Sequence, residues 1–140
     1  MSYDLNRQKE INEAISAGER ALNSLNLAKD ELQRARNWGF ADMLGGGGLI
    51  TLAKHSKIHN AENYINQAKY DLQTFSREVS DVNSFEGVDL GIGDFLTFAD
   101  FFFDGIIADF MVQQKINEAA AQVDEAIRRV RQVLQQLRNM

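Results

Sequence analysis

The chain has 140 residues, the length of one ordinary domain, and contains no cysteine and no proline. Without cysteine it has no disulfides, thiolate nucleophiles or thiolate metal ligands, and it fits a reducing compartment. Its net charge of -5 argues against broad electrostatic attraction to nucleic acid, so no nucleic-acid partner is expected.

The first segment repeats its apolar residues with a mean spacing of 3.5, the spacing of a coiled-coil seam. The seam consists of Ile11, Ile15, Gly18, Leu22, Leu25, Lys29, Leu32 and Arg36. A second row of small side chains recurs every seven residues at Ala14, Ala21, Ala28 and Ala35. Small side chains let a neighbouring helix approach closely, so this pattern predicts a helix that uses two faces.

Two further segments repeat the same stepping. The second seam runs through Ile58, Ala61, Ile65, Ala68, Leu72, Phe75, Val79 and Val82, and the third through Ile116, Ala120, Val123, Ile127, Val130, Leu134 and Leu137. In the third segment Ala119, Ala126 and Val133 widen the apolar face. A face of this width is typical of a bundle of three or more helices.

Glycine is concentrated in Gly45–Gly48 and Gly87–Gly93, which indicates two breaks between helices. We therefore predict one all-α domain over residues 1–140, an up-down-up antiparallel three-helix bundle or coiled coil with long helices. The helices are expected at about 4–38, 49–82 and 94–139, with Asp94 as an N-cap and a kink near Gly105. Simple threading puts the two connectors at opposite ends, although they could meet across an antiparallel dimer or if the Phe-rich helix folds back along the bundle.

The stretch from Gly93 to Phe110 is rich in phenylalanine and carries four aspartates but no basic residue. On a helix Asp100 and Asp104 share a face, whereas Asp109 lies on the far side. A buried carboxylate must be paired, bind a metal or hold a proton. The preferred interpretation is an ion pair inside the bundle, and the candidate donors are Lys54, Lys57, Arg77 and Lys115.

The more specific alternative is that the same carboxylates bind a metal ion. His55 and His59 are one turn apart, as are Asp100 and Asp104, so two helices could offer nitrogen and oxygen ligands. Such a site could activate water for hydrolysis. The EF-hand pattern and the ExxH pair of di-iron bundles are both absent, and no cofactor is expected.

Other catalytic signatures are missing from the sequence. The glycines at Gly45–Gly48 follow no predicted strand and lack the GxxxxGK[ST] pattern of a nucleotide-binding loop. There is no nucleophile elbow, and His55 and Ser56, as successive helix residues, point in different directions. These observations favour a protein that is not an enzyme.

Aromatic residues mark two candidate contact surfaces. They are Trp38 and Phe40 near the first break, and Phe95, Phe98, Phe101, Phe102, Phe103 and Phe110 in the Phe-rich stretch. Either group could cap the bundle or contact a protein partner or a membrane surface. The polar, charged start MSYDLNRQKEINEAI lacks the apolar run of a signal peptide, so a cytoplasmic location is expected.

Two phrases, GGGGLITLAKHSKIHNAE and GIGDFLTFADFFFDGIIADFMVQQKI, resemble segments of a family of small bacterial helical proteins. The resemblance covers roughly the middle half of the chain. It implies a bacterial origin and a unit in which both phrases occur together, and it assigns no activity, cofactor or functional residue.

The leading hypothesis is a non-enzymatic helical bundle that acts through protein–protein interaction, as a homo-oligomer or with another protein. Two alternatives stay open. One is a metal-binding protein, with hydrolysis as its reaction, that uses His55, His59, Asp100 and Asp104. The other is a peripheral membrane protein, with the Trp38–Ile50 connector and the Phe-rich helix as a wedge, although acidic residues would repel anionic lipid.

Overall fold

The computed structural model describes residues 2–45, 48–86, 93–102 and 116–140, with side chains described for 5–37, 59–83, 93–102 and 116–140. These residues form four helices and no strand, which confirms the all-α prediction. The helices are α1 (Ser2–Gly45), α2 (Gly48–Glu86), α3 (Gly93–Phe101) and α4 (Ile116–Arg138). None of the four combines the length and the apolar character that crossing a membrane requires.

Helices α1 and α2 form a long antiparallel hairpin. Ser24 of α1 contacts Asp71 of α2, and Glu10, which precedes Ser24, lies beside Asp81, which follows Asp71. The alanines Ala14, Ala21, Ala28 and Ala35 are all fully buried. Because their side chains are small, α2 can pack closely along α1, as the seven-residue repeat predicts.

Helix α4 packs on a second face of α1 and also runs antiparallel to it. Lys29 lies 2.8 Å from Asp124, and Glu19 lies 3.0 Å from Arg138. Both contacts involve residues on or next to the predicted seam of α1. The two-faced first helix is therefore confirmed: Ser24 lies against α2, Lys29 lies against α4, and Gly18 of the seam lies between the two.

Helix α3 is short and folds back along the bundle between α2 and α4. The ring of Phe95 meets Phe75 of α2 edge to face, with centroids 5.4 Å apart. Phe98 lies one turn after Phe95 on α3, and Arg129 of α4 lies over its ring, 4.6 Å from the ring centroid. The fold-back arrangement thus holds for the described part of the Phe-rich stretch.

A single apolar core joins all four helices. At its centre Gly18 faces both Phe75 and Leu134, so α1, α2 and α4 meet at one level. Phe75 also contacts α3, which places one aromatic ring at the junction of the whole bundle.

The predicted division into three long helices is not confirmed. Instead of one helix over 94–139, the described residues contain two separate helices, α3 and α4. The up-down-up order is also wrong for α4, which runs antiparallel to α1 because the chain reverses once more before α4 begins. The first two helices are longer than predicted, since α1 continues to Gly45 and α2 to Glu86. The predicted kink near Gly105 lies outside the described residues.

Candidate functional site

Of the four proposed metal ligands, the structure describes the side chains of His59 and Asp100, and these two lie far apart. His59 is exposed on α2, with its Nδ1 4.0 Å from Glu62. Asp100 of α3 is exposed and lines a groove with Gln73, Ser76 and Arg77 of α2. His59 and Gln73 are fourteen residues apart on one helix, or about 21 Å. The fold therefore does not bring His59 and Asp100 together.

Asp100 instead shares its groove with Arg77, one of the basic donors suggested by the sequence. The carboxylate is open to solvent, so water can solvate its charge without a metal or a buried ion pair. The other members of the predicted ion-pair and metal sets have side chains outside the described residues. They are Lys54, His55, Lys57, Asp104 and Asp109.

The described phenylalanines of α3 divide into core and surface positions. Phe95 and Phe102 are buried in the chain's own core, so they stabilise the fold and do not present an interface. Phe98 is half-buried, 6.0 Å from the ring of Phe102 and beneath Arg129. Phe101 is 62% exposed. Of the other predicted contact residues, the side chains of Trp38, Phe40, Phe103 and Phe110 lie outside the described part of the chain.

The grooves found on the described surface are open to solvent and lined mostly by polar and charged side chains. One of them, of about 560 Å³, follows the solvent side of α1 and reaches Glu78 of α2. A second, of about 350 Å³, lies between α1 and α4 around the Lys29–Asp124 ion pair. Ligand sites are usually concave and largely apolar, with a few convergent polar groups. Neither groove has that character.

Three carboxylates that sequence reasoning missed converge beside the first groove. Oxygens of Glu10, Glu78 and Asp81 all lie within 4.8 Å of one another. Burial raises the pKa of Glu78, and the nearby charges of Glu13, Asp81 and Glu10 raise it further. An all-oxygen set of this kind could attract a hard cation. Glu10, Ala17 and Ser24 are spaced seven residues apart, which indicates that Glu10 lies on the face of α1 that packs on α2. Which residues of α2 lie opposite Glu10 depends on the register of the two helices, so the sequence does not identify them.

The arginines of α4 form local ion pairs and one contact with an aromatic ring. Glu125 accepts hydrogen bonds from Arg128 and Arg129, and these hold the pKa of Glu125 below its ordinary value. Arg129 also covers Phe98, while Arg138 reaches Glu19 of α1. The arginines of α4 therefore help to hold α3 and α1 against α4.

The side of the α1–α2 hairpin that carries Ser24 and Asp71 has a different character. We call it the outer flank and define it by Ser24, Leu27 and Glu31 of α1 and Tyr64 and Asp71 of α2. The Ser24 hydroxyl donates to Asp71, whose other oxygen accepts from Gln67 at 3.2 Å. Both donors are neutral. Helix α4 contacts α1 on the side away from this flank, at Gly18 and Lys29.

Glu31 is the unusual residue of this flank. It is only 7% exposed, and its Oε1 accepts a hydrogen bond from Arg34, while Oε2 is buried without any hydrogen-bond partner among the described residues. A buried polar atom left unsatisfied costs roughly 1–3 kcal/mol. Beside it Leu27 is 41% exposed, and Tyr64 is also exposed. The flank thus combines an unsatisfied acceptor with apolar surface.

Comparison with known proteins adds no assignment. No protein-family model matches the chain, and searches of curated proteins and of solved structures likewise gave no match. The resemblance to small bacterial helical proteins therefore stays a prediction. A function for this chain has to follow from the geometry of its described residues.

Proposed function

We propose that the chain is a non-enzymatic helical-bundle protein that acts through protein–protein contacts, with the outer flank as its binding surface. The observation that carries the proposal is the buried Oε2 of Glu31, which has no donor within the described chain. A partner that supplies a basic side chain would satisfy this oxygen and remove its desolvation cost.

The surroundings of Glu31 support the same interpretation. Leu27 and Tyr64 offer apolar area of the kind that anchors helix–helix contacts. Asp71 accepts only from Ser24 and Gln67, so its negative charge is not balanced by a cation within hydrogen-bonding distance among the described residues. Because the flank carries more acid than base, it suits a partner surface with exposed arginine or lysine.

In this proposal the long helices serve as a scaffold for assembly. The bundle would act as a coiled-coil component whose seams hold the fold, while the outer flank binds the partner. The cytoplasmic location and the bacterial origin remain expectations from the sequence. The metal-binding and membrane alternatives gain no support, because their candidate side chains are either apart or outside the described residues.

Site-specific photo-crosslinking in cells tests the proposal. A photoreactive residue at Leu27 is expected to give a protein adduct, because Leu27 lies on the outer flank. The matched control is Tyr70, which is also exposed on the hairpin but, as the neighbour of Asp71 on a helix, points in a different direction. Absence of any adduct from position 27, with the protein folded, would overturn the proposed binding surface.

A further inference from the structure

We infer that the partner of the outer flank is a second copy of this chain, joined through an antiparallel contact between the two α1 helices. The inference rests on the proposed function and specifies its partner. A hydrogen-bond donor, Arg20, and an acceptor, Glu31, lie on the same side of α1. The donor has no acceptor and the acceptor has an oxygen without a donor among the described residues.

The acceptor is Oε2 of Glu31, buried and unsatisfied as described above. The donor is Arg20, which is exposed and makes no hydrogen bond or ion pair with any other described residue. Eleven residues separate the two, or about 16 Å along the helix, so they cannot pair within one chain. An arginine from another molecule can reach this oxygen once the Glu31 side chain, whose Oε2 is buried, turns outward on α1.

The spacing of four residues along this side of α1 indicates that the second molecule is another copy of the same chain. Arg20, Ser24, Leu27 and Glu31 follow one another at intervals of four, three and four residues. This series has the same intervals from either end. When two copies lie antiparallel about a two-fold axis, Arg20 therefore faces Glu31 of the second copy, and Leu27 covers the helix surface above the buried Ser24 of the second copy. A two-fold axis requires this reciprocity, since each contact occurs twice.

The chemistry of the resulting contact is balanced. Each Glu31 carboxylate would accept from Arg34 of its own chain at Oε1 and from Arg20 of the other chain at Oε2. Each pair would be a charge-assisted hydrogen bond screened from water by Leu27. The contact satisfies the unpaired oxygen, uses the unpaired arginine and covers the exposed leucine in a single arrangement.

Sedimentation equilibrium over micromolar to millimolar protein concentrations tests the inference. The unmodified chain is expected to form a dimer. Arg20→Glu is expected to weaken the dimer about a hundredfold, because each of two symmetric pairs loses roughly a factor of ten. The matched control is Arg131→Glu on α4, which changes the net charge equally but lies away from the outer flank.

Charge complementation provides the sharper test. Arg20→Glu and Glu31→Lys proteins each place like charges across both symmetric pairs, so neither is expected to dimerise alone. In a mixture of the two, the carboxylate introduced at position 20 faces the ammonium introduced at position 31, and the native Glu31 of one chain faces the native Arg20 of the other. The heterodimer is therefore expected to form. Helix content measured by circular dichroism establishes that each variant is folded.

Cysteine crosslinking offers a route that leaves Glu31 intact, because the chain has no cysteine of its own. Because Leu27 lies next to the proposed two-fold axis and is exposed, Leu27→Cys protein is expected to be crosslinked to a second copy by a short bis-maleimide, whereas Tyr70→Cys protein is not. A chain that is monomeric at every concentration, or a dimer unaffected by Arg20→Glu, overturns the inference. If a monomeric chain still gives a photo-adduct with another protein from position 27, self-association fails but the proposed function stands.

Discussion

Gly18 of α1 lies so close to Phe75 of α2 that a Cβ atom added to the glycine would be 2.8 Å from the ring atom Cε1. The same Cβ would be 2.6 Å from Cδ2 of Leu134. Unstrained side chains do not make contacts this short. The glycine therefore sets how closely three helices approach, and α3 joins the arrangement because Phe95 packs edge to face with Phe75.

Gly18→Ala is expected to lower the free energy of unfolding by about 1 kcal/mol, the difference between the overpacking cost and the gain in helix propensity. Alanine favours the helix by roughly 1 kcal/mol, but overpacking a well-filled core costs about 1–3 kcal/mol. The Leu134 methyl can rotate away, whereas the Phe75 ring is fully buried and in contact with Phe95. Urea denaturation measures the change. Gly93→Ala is the control, since nothing lies within 4 Å of a Cβ there, and an equally stable Gly18→Ala protein would contradict the close contact.

Phe95→Ala is expected to destabilise the protein by about 3–5 kcal/mol, the usual cost of removing a buried phenylalanine. The lost ring holds α3 against Phe75, so amide exchange in α3 should accelerate more than in α1. Phe101→Ala serves as the control, because that ring is mostly exposed and its loss should change stability by less than about 0.5 kcal/mol. Equal effects of the two substitutions would show that α3 does not dock through Phe95.

Glu78→Gln is expected to stabilise the protein at neutral pH. Because the pKa of Glu78 is raised, the folded state favours the protonated carboxyl. The protonated carboxyl therefore stabilises the fold fully below the ordinary pKa of 4.5, and this stabilisation is lost as the pH rises through the raised pKa. The melting temperature of the variant should exceed that of the wild type at pH 7, and the two should converge below pH 4.5.

Asp30→Asn is the control for the Glu78 experiment, because Asp30 is exposed and has no partner in the described part of the chain. It removes one negative charge from the same hairpin without touching the Glu10, Glu78 and Asp81 cluster. If both variants raise the melting temperature alike at pH 7, general charge reduction and not the cluster is responsible.

Glu31→Met should separate the stability of the fold from association. In the isolated chain methionine removes a buried charge with an unsatisfied oxygen, and such replacements are often neutral or stabilising by about 1–4 kcal/mol. In the proposed dimer it removes the acceptor for Arg20. We therefore expect equal or higher stability in urea at low protein concentration together with weaker dimerisation by sedimentation. Marked destabilisation of the dilute chain would mean that the Arg34 pair, and not an external donor, explains Glu31.

Much of the fold follows from the sequence, because burial on a helix is periodic. The alanines of α1 repeat every seven residues and are all buried, and the third seam from Val123 to Leu137 is the buried face of α4. Periodicity of this kind identifies which face of each helix enters the core. Periodicity alone therefore predicts the all-α class and the two buried faces of α1, without any knowledge of which helices are neighbours.

The tertiary structure alone decided which residues face one another. Glu10 meets Glu78 and Asp81, and Glu31 is left with an unsatisfied oxygen, because the α1–α2 register sets each of those neighbours. A repeat of seven residues is compatible with several registers, each shifted by one heptad, so the sequence cannot choose among them. The position of α3 is decided in the same way: its phenylalanines predict burial, but only the packed rings of Phe75 and Phe95 and the cover of Arg129 determine where that burial takes place.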